Sequence, residues 1–427
     1  MSHPGSFQTL AEWLAWLETL SPNEIELGLE RVDAVLARLC LELTERVVHV
    51  AGTNGKGSCA AMLEGLLIAG GDRVGCYTSP HVFEFNERIR VDGRNATDAA
   101  IVQALETVES ARDGVPLTYF EYSTLAALCL FADNDCSALV LEIGMGGRLD
   151  AVNAIEPLAG LITNVALDHC DWLGNDVETI AREKAGIMRH GKPLVFGALE
   201  RPVAIDEAAD ATGARLYCAG RDFAVESAAG GSWSYRGLRT RIPHLAAPAL
   251  FGQSQLGNAA AVLAVLETLS MGYELCAATI NDVFAGLSLA GRFQRISSAR
   301  HWVLDVAHNP HAAHALAANL REDGAPRERI AIIGALLDKD PEGIVAELAP
   351  LVDRWIAVSA AAARAIPANQ LAARIAAVCG KPCLAADSLE EALEFATSTS
   401  GEDDSILVTG SFYVVGPALE WIRSTSA

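Results

Sequence analysis

The stretch VVHVAGTNGKGS, from Val47 to Ser58, decides the fold of the first half of the chain. Its apolar run gives way to three glycines, a lysine and a serine, and apolar residues at helical spacing follow in CAAMLEGLLIAG. A strand that ends in a glycine-rich turn and opens a helix leaves backbone N–H groups pointing at one spot, which attracts phosphate. The stretch therefore predicts a phosphate-binding loop, in which Lys56 reaches the β- and γ-phosphates and Ser58 contacts phosphate or metal.

This loop departs from the standard phosphate-loop pattern in two places. Gly52 and Gly55 are separated by two residues, where the pattern has four. Gly57 also stands between Lys56 and the hydroxyl of Ser58, which directly follows the lysine in the pattern. An ordinary glycine turn between a strand and a helix therefore stays open as the alternative.

The composition of the 427-residue chain narrows the possible functions. This length predicts about two or three domains, and 51% hydrophobic with 20% charged residues is an ordinary globular balance. The net charge of −22 argues against nucleic acid or an anionic membrane as a partner. Phosphate would therefore be bound by a local nest and a metal rather than by a basic surface.

Three further features predict a cytoplasmic protein. The first 20 residues contain no Lys or Arg and so lack the charged start of a signal peptide. The sequence contains no stretch of about 18 dominantly apolar residues, so we predict no membrane span. The ten cysteines form no C-x-x-C pair and several lie in apolar runs, so we expect reduced, mostly buried thiols.

Polar side chains follow two predicted strands downstream of the phosphate loop. The strand Ala138–Ile143 carries Glu142 near its end, where an ionised acid is unfavourable unless it meets a cation such as magnesium. A surface glutamate is the alternative. The strand Leu158–Val165 leads to Asp168 and His169, at the edge where open α/β sheets bind ligands. His169 is either a metal or phosphate contact or an ordinary packing or surface group.

Lys184 stands out in a predicted helix over Val177–Met188. It falls in the middle of the apolar stripe of this helix rather than on the charged face. Such a lysine either extends its ammonium group to solvent or is desolvated. Desolvation favours the neutral amine, which is a nucleophile.

The remaining segments define the fold class. Helices over Phe7–Leu20 and Glu26–Leu39 are predicted to cover the sheet edge, with ligand contact as the alternative. Thr78–Gly93 is predicted to be an irregular stretch that forms a lid or a binding loop. Short alternating runs over Arg221–Leu245 predict a small antiparallel meander. From about Ala290, five strand–helix alternations predict a second doubly wound domain.

We therefore predict an α/β protein of two domains. Residues 1–290 form a P-loop-type domain, with a mainly parallel sheet flanked by helices and a small antiparallel sheet. Residues 291–427 form a doubly wound, Rossmann-like α/β domain. The cluster from Gly144 to Gly147 is too short for a dinucleotide fingerprint, which argues against a nicotinamide or flavin enzyme.

Ten stretches of the sequence, in this order, resemble the dihydrofolate synthase/folylpolyglutamate synthase family of ATP-dependent Mur-type amide ligases. They are GLERV at Gly28, AGTNGKGS at Ala51, TSPHVFEFNERIRVDG at Thr78, LTYFEYSTL at Leu117, LEIGMGGRLDAVN at Leu141, LDHCDWLG at Leu167, REKAGI at Arg182, GRFQ at Gly291, DVAHNPHA at Asp305 and TGSF at Thr409. LTYFEY and ELGLERV are most similar to the bacterial bifunctional enzymes.

The resemblance implies roles for individual residues. ATP would be held by Thr53, Asn54, Gly55, Lys56, Gly57, Ser58, Asn258, Arg292 and Asp305. Two magnesium ions would be held by Ser79, Glu142, His169 and Lys184, the last as a carbamate formed with carbon dioxide. Dihydropteroate would be bound by Glu26, Leu27, Gly28, Thr118, Tyr119, Phe120, Glu121, Leu149, Asp150 and Ala151. The glutamate end of the site would include His308 and Ser411. The catalytic residues would be Lys56, His169, Lys184 and Arg292.

The resemblance also implies the reaction and the partners. The carboxylate of dihydropteroate attacks the γ-phosphorus of ATP, and L-glutamate then displaces phosphate from the acyl phosphate. Tetrahydrofolates would be extended with further glutamates in the same way. The partners are these small molecules, without nucleic acid or membrane, and we expect a monomer. An enzyme acting on folates alone, or a nucleotide-hydrolysing switch protein, is the alternative.

Overall fold

The computed structural model describes residues 7–20, 26–227, 232–269, 276–297 and 300–425. The chain forms two compact units. Unit 1 comprises Met1–Val165, Val177–Ala247 and Gly257–Gly286, and unit 2 comprises Ala166–Asp176, Pro248–Leu256 and Leu287–Ala427. The short segments Ala166–Asp176 and Pro248–Leu256 thus belong with the C-terminal unit, while the boundary after residue 290 stays a prediction.

The strands and helices of the described residues are numbered in chain order. The strands are β1 (Val47–Ala51), β2 (Val74–Tyr77), β3 (Ile89–Val91), β4 (Arg94–Asn95), β5 (Ala138–Glu142), β6 (Ala159–Ile162), β7 (Pro193–Phe196), β8 (Arg215–Cys218), β9 (Ala224–Ser227), β10 (Trp233–Arg236), β11 (Arg241–Leu245), β12 (Gln294–Ser297), β13 (His301–Leu304), β14 (Arg329–Ile333), β15 (Arg354–Ala357), β16 (Cys383–Ala385) and β17 (Ser405–Thr409). The helices are α1 (Leu10–Leu20), α2 (Glu30–Leu39), α3 (Lys56–Ala69), α4 (Asp98–Arg112), α5 (Tyr119–Asp133), α6 (Cys170–Leu173), α7 (Val177–Ala185), α8 (Val203–Thr212), α9 (Ser254–Thr268), α10 (Ala277–Ala285), α11 (Pro310–Asp323), α12 (Pro341–Leu348), α13 (Ala368–Cys379), α14 (Leu389–Thr399) and α15 (Phe412–Thr425).

Unit 1 is built on an eight-stranded sheet in the order β4-β3-β2-β5-β1-β6-β7-β8. The six strands from β2 to β8 in this order are parallel, and β3 and β4 continue the sheet in antiparallel pairing. The central strand β1 is buried along its whole length, as expected of a parallel strand covered on both faces. Its carboxyl end, where the phosphate loop begins, therefore lies in the middle of the sheet.

Helix α5 begins at a capping box. The Thr118 hydroxyl accepts from the backbone N–H of Glu121, and the Glu121 carboxylate accepts from the backbone N–H of Thr118 at 2.7 Å. Two N–H groups at the start of the helix are thereby satisfied. Helices α1 and α2 pack mainly against α4 and α5, rather than directly on the sheet edge as predicted. Trp13 and Leu17 of α1 are buried in this second layer.

The small antiparallel sheet is confirmed, with the order β11-β10-β9. Along β10, Trp233 and Tyr235 are buried while Ser234 and Arg236 are partly exposed, so the strand alternates between a core face and a wetter face. This alternation is the pattern that indicated the meander. Among the described residues, no helix is long and apolar enough to cross a membrane.

Two predictions for unit 1 are wrong in detail. The segment from Thr78 to Gly93 is not wholly irregular, because it contains a 3-10 helix, Phe85–Arg88, and strand β3. Such a short strand is stabilised by its pairing with β2, which its own residues do not reveal. Helix α7 ends at Ala185 rather than at Met188, since the chain turns at Gly186 and the Ile187 N–H bonds to the Lys184 carbonyl.

Unit 2 contains the predicted doubly wound domain. Its six-stranded sheet has the order β12-β13-β17-β14-β15-β16, and the five strands from β13 to β16 in this order are parallel. The antiparallel edge strand β12 was not predicted. Its residues alternate between partly exposed and exposed, so it lacks the apolar run that marks the inner strands.

Candidate active site

The phosphate loop joins β1 to α3 through two glycines with positive φ. Gly52 has φ 144°, and a Cβ atom there would lie 1.8 Å from the hydroxyl oxygen of Thr163. Gly55 has φ 85°, and a Cβ atom there would lie 3.0 Å from Oδ1 of Asn258. Both positions therefore require glycine, and the short spacing between them fits the loop into the space that these neighbours leave.

The residues after β6 hold the phosphate loop in shape. The Thr53 N–H donates to the Asn164 carbonyl at 3.0 Å, and the Asn54 N–H donates to Asn164 Oδ1 at 3.0 Å. The Asn54 carbonyl accepts from the Thr163 hydroxyl at 2.6 Å and from Asn164 Nδ2 at 2.9 Å. Sequence reasoning missed Thr163 and Asn164. Their signal was two polar residues at the end of an apolar strand that neighbours β1.

Helix α3 begins at this loop in a way that suits an anion. Its N-cap is Gly55, which has no side chain to cap the first turn. A helix N-terminus carries a partial positive charge and favours phosphate. Lys56 folds back over the loop, and its Nζ donates to the carbonyls of Gly52 at 3.1 Å and Thr53 at 3.3 Å. Ser58 is buried in the first turn.

Lys184 is buried beneath the same loop. Lys184 is only 4% exposed, and its Nζ donates to the Gly52 carbonyl at 3.0 Å. The alternative in which its ammonium extends to solvent is therefore wrong. Lys56 and Lys184 both bond to the same carbonyl oxygen, so their nitrogens are no more than about 6 Å apart.

Close backbone packing sets the position of Lys184. The Arg148 N–H donates to the Glu183 carbonyl at 2.9 Å, and Asn153 Nδ2 donates to the carbonyls of Arg148 and Gly186 at 3.1 Å. A Cβ at Gly147 would lie 2.9 Å from the Lys184 carbonyl oxygen, so only glycine allows this approach. The GMGGRLDAVN stretch therefore holds the REKAGI stretch in place.

Glu142 and Ser79 offer oxygen atoms that fit a magnesium ion. Glu142 is 3% exposed and pairs in register with Val50, so it ends β5 beside the phosphate loop. Ser79 follows the neighbouring strand β2. No group of three or more His, Cys, Asp or Glu side chains in the described part of the chain forms a ready metal site. A carboxylate and a hydroxyl suit magnesium, which takes its remaining ligands from water and phosphate oxygens.

The predicted dihydropteroate segments lie together in unit 1. The Gly28 N–H donates to the Leu149 carbonyl at 3.3 Å. Arg31 joins the segment of Glu26 to the segment of Glu121. Its Nη1 donates to Glu26 at 2.8 Å, and its Nη2 donates to the buried Glu121 at 2.8 Å. Sequence reasoning named Glu26 and Glu121 but missed Arg31. The GLERV motif that contains Arg31 was its only signal.

Asp150 is the buried acid of these segments. Its carboxylate accepts from the backbone N–H groups of Met145 at 2.8 Å and Val152 at 3.0 Å. Burial raises the pKa of Asp150 to about 6, against the opposing effect of these two hydrogen bonds and of the positive charge of Lys56. The group is thus held near the point where it gains or loses a proton at mildly acidic pH.

The site residues predicted for the C-terminal domain lie around one aromatic ring in unit 2. The guanidinium carbon of Arg292 is 5.4 Å from the centre of the Phe412 ring, and the His308 ring is 6.0 Å from it. Ser411, the neighbour of Phe412, is buried and its hydroxyl accepts from the Tyr413 N–H. Unit 2 therefore brings together the predicted nucleotide residue Arg292 and the predicted glutamate residues.

Asp305 begins the loop that carries His308. Its two carboxylate oxygens accept from the backbone N–H groups of Phe293 at 2.8 Å and Ala307 at 2.9 Å. Burial raises the pKa of Asp305, and the nearby positive charge of Arg292 opposes that rise. The acid thus fixes the start of the loop and faces Arg292.

His169, one of the predicted metal ligands, belongs to unit 2 and has a left-handed backbone with φ 52°.

Comparison with known proteins agrees with this arrangement. Residues 50–266 match the Mur ligase middle domain, and residues 291–412 match the Mur ligase glutamate ligase domain. The dihydrofolate synthase/folylpolyglutamate synthase of Escherichia coli (strain K12) is 40% identical over 420 residues, which cover 98% of this chain and 97% of that protein.

Two solved structures share the fold over the full length. E. coli FolC in complex with DHPP and ADP is 38% identical with a TM-score of 0.93, and the match covers 100% of both chains. A bifunctional folylpolyglutamate synthase/dihydrofolate synthase with Mn, AMPPNP and L-glutamate bound is 37% identical with a TM-score of 0.89, covering 97% of this chain and 98% of that one.

The fold and the two matched domains define an ATP-dependent ligase of the Mur type. Within this class, the chain belongs to the dihydrofolate synthase/folylpolyglutamate synthase family of folate metabolism.

Proposed function

We propose that the enzyme joins L-glutamate to dihydropteroate, giving dihydrofolate, ADP and phosphate, and adds further glutamates to tetrahydrofolates. The observation that carries this proposal is the convergence of Lys56 and Lys184 on the Gly52 carbonyl, at 3.1 and 3.0 Å. A phosphate loop alone would serve any nucleotide hydrolase. A second, buried lysine beneath it adds a group that a simple switch protein does not need.

The proximity of the two lysines favours a carbamate at Lys184. Two ammonium groups so close in a buried place repel each other. If the Lys184 amine loses a proton and reacts with carbon dioxide, it forms a carbamate and releases a second proton, and the repulsion between the lysines becomes an attraction. The new carboxylate would then be a further oxygen ligand for metal, beside Glu142 and Ser79.

In the proposed reaction the carboxylate of the folate substrate attacks the γ-phosphorus of ATP, and ADP leaves. The amine of glutamate then attacks the carbon of the acyl phosphate, and phosphate leaves. Both steps gather negative charge, which Lys56 and Arg292 would stabilise. Bound magnesium would supply further positive charge, held by Ser79, Glu142, His169 and the Lys184 carbamate.

The other predicted contacts complete the assignment. We assign adenosine and phosphate binding to Asn258, Asp305 and the phosphate loop, and dihydropteroate binding to the segments that contain Gly28, Glu121 and Asp150. We assign glutamate binding to His308 and Ser411. Asp150 and Glu121 are buried among hydrogen-bond donors, as acids that recognise a polar ring system would be. A monomer in the cytoplasm is the state we propose for this enzyme.

Phosphate release from ATP tests the proposal. The assay is run with dihydropteroate and with tetrahydrofolate, each with and without glutamate, in the presence of magnesium and bicarbonate. We expect release that depends on glutamate with both acids, together with mass addition to the pterin substrate. Glutamate-dependent activity with tetrahydrofolate but not with dihydropteroate would leave only the polyglutamate reaction. Release that ignores glutamate would indicate a nucleotide switch instead.

The carbamate has a separate test. Crystals grown with magnesium and bicarbonate should show density for a carboxylate on Lys184 Nζ. An unmodified ammonium group in such crystals would refute the carbamate while leaving the ligase reaction intact.

A further inference from the structure

The carboxylate of Asp168 gathers donors from separate parts of unit 2. Its side chain is only 6% exposed. Oδ1 accepts from the backbone N–H of His169 at 2.9 Å and from Lys339 Nζ at 2.6 Å. Oδ2 accepts from Asn309 Nδ2 at 3.0 Å, and His308 Nε2 lies 3.4 Å from it. A buried carboxylate with this many donors is fixed in position.

These donors come from loops at the carboxyl edge of the parallel sheet of unit 2. His308 and Asn309 follow β13, and Lys339 follows β14. Asn309 serves two purposes, because its amide oxygen accepts from the Ala312 N–H and caps α11 while its amide nitrogen binds Asp168. Asp168 thus ties the segment Ala166–Asp176, which carries His169, to both loops.

Lys339 is the charged member of this group that no role has yet explained. Its side chain is 7% exposed, and its Nζ lies 3.4 Å from Nε2 of His169 and 3.5 Å from a carboxylate oxygen of Asp338. Asp338 is also paired with Arg364 at 3.2 Å. The shortest of these contacts of the Lys339 ammonium group is therefore with Asp168. The imidazole of His169 is the next nearest of the three groups.

We propose that Lys339 is a positioning residue, which holds Asp168 and through it fixes the backbone of His169 and the imidazole ring of His308 for metal and glutamate binding. The proposal rests on the proposed function, since His169 and His308 have their roles only there. Lys339 and Asp168 form a buried ion pair, with 2.6 Å between the ammonium nitrogen and the carboxylate oxygen.

The main test replaces Lys339 by methionine, which keeps the length of the side chain and removes its charge. Mn²⁺ binding to the protein–ADP complex is measured by electron paramagnetic resonance of the free ion, which needs no turnover. We expect binding to weaken by about 10-fold or more, as loss of a group supporting a metal ligand does. The KM for glutamate should rise as well, while the KM for ATP stays within about 2-fold.

Two variants serve as controls. Lys381 is half-buried in the same unit and donates to the Val352 carbonyl at 2.8 Å, so Lys381→Met removes a comparable lysine away from Asp168. It should leave Mn²⁺ binding and both KM values unchanged. Lys339→Arg restores the charge and should recover most of the Mn²⁺ affinity. If Lys339→Met does not fold, Asp168→Asn removes the other member of the pair and should weaken Mn²⁺ binding in the same way.

The outcomes separate this inference from the proposed function. If Lys339→Met or Asp168→Asn melts at a lower temperature but binds Mn²⁺ and glutamate like the wild type, Lys339 only stabilises the fold and the inference is wrong. If the wild type shows no glutamate-dependent phosphate release, the proposed function fails instead. Weaker Mn²⁺ binding together with a raised KM for glutamate supports the inference.

Discussion

Two buried lysines, one in each unit, have opposite surroundings. Lys184 in unit 1 donates to the carbonyl oxygen of Gly52, whereas Lys339 in unit 2 donates to the carboxylate of Asp168 at 2.6 Å. A carboxylate at this distance stabilises the ammonium form of Lys339. We propose a chemical role for Lys184, which lies beneath the phosphate loop, and a positioning role for Lys339, and each proposal has its own test.

The largest effect is expected from removing Lys184, the residue proposed to carry a carbamate. We expect Lys184→Ala to lower kcat by about 100-fold or more, as removal of a group that organises transition-state charge does. Added formate or acetate should restore part of the activity, because a small carboxylate can take the place of the carbamate. Lys339→Met should not respond to these acids. Steady-state kinetics with increasing acetate gives both results.

The control for Lys184 is Lys192, an exposed lysine of the same unit. Lys192→Ala should keep wild-type activity and show no effect of acetate. Full activity of Lys184→Ala without any added acid would remove Lys184 from the mechanism and end the comparison.

The packing that positions Lys184 gives the next effect. A Cβ at Gly186 would lie 2.3 Å from Cβ and 2.5 Å from Cα of Arg148, so a methyl group forces the two stretches apart. We expect Gly186→Ala to lower the free energy of unfolding by about 1–3 kcal/mol, as overpacking does. Urea unfolding measures the change, and activity should fall with it because Lys184 shifts.

Gly257 provides the matched control, since a Cβ there meets nothing within 4 Å and the residue lies in helix α9. Gly257→Ala should raise the free energy of unfolding by about 0.5–1 kcal/mol through the better helix propensity of alanine. A Gly186→Ala protein as stable as the wild type would show that the close approach does not constrain Lys184.

The buried residue His49 predicts how the stability of the fold depends on pH. His49 of β1 is fully buried, and burial lowers its pKa to about 3, helped by the positive charge of Arg189. The unfolded chain binds a proton at this residue near its usual pKa of about 6.5, while the folded protein does not. Stability from His49 is therefore complete above about pH 6.5 and is lost as the pH falls towards 3, by up to about 1.4 kcal/mol per unit.

The measurement compares urea unfolding at about pH 7.5 and pH 5 for the wild type and His49→Leu. We expect the variant to lose less stability between the two pH values, because leucine binds no proton. His301 is exposed on β13 and serves as the control, so His301→Leu should leave the pH dependence as it is. An unchanged slope in His49→Leu would contradict the buried neutral imidazole.

Local patterns were enough to predict much of the fold. The glycine turn between β1 and α3, most of the parallel strands, the meander and the alternating C-terminal domain are confirmed, because apolar runs and glycine turns encode them within about ten neighbouring residues. Strands β3, β4, β8 and β12 were missed. The short, half-polar sequences of β3 and β12, for example, become strands only beside β2 and β13.

The site was predictable only where a motif carried it. The place of Lys184 in an apolar stripe left exposure and burial of its ammonium group open, and the structure shows that the residue is buried. Asn164, Arg31 and Lys339 were missed because their partners Asn54, Glu121 and Asp168 are distant in sequence. Hydrogen bonds across 90 or more residues leave no periodic trace, so only the folded chain reveals them. The roles assigned to the site residues stay predictions until the variants are measured.

The smallest effect is expected for a substitution of Arg182, in the same helix as Lys184. Arg182 stands two residues before Lys184 in α7, but its side chain is 58% exposed and lies 3.6 Å from Glu207, which is itself 61% exposed. Exposed ion pairs of this kind contribute about 1 kcal/mol or less, because water screens them. Arg182→Gln should therefore change the free energy of unfolding by less than about 1 kcal/mol and keep kcat within about 2-fold. A large loss of activity in this variant would mean that charge along the whole helix, rather than the buried amine of Lys184, supports the reaction.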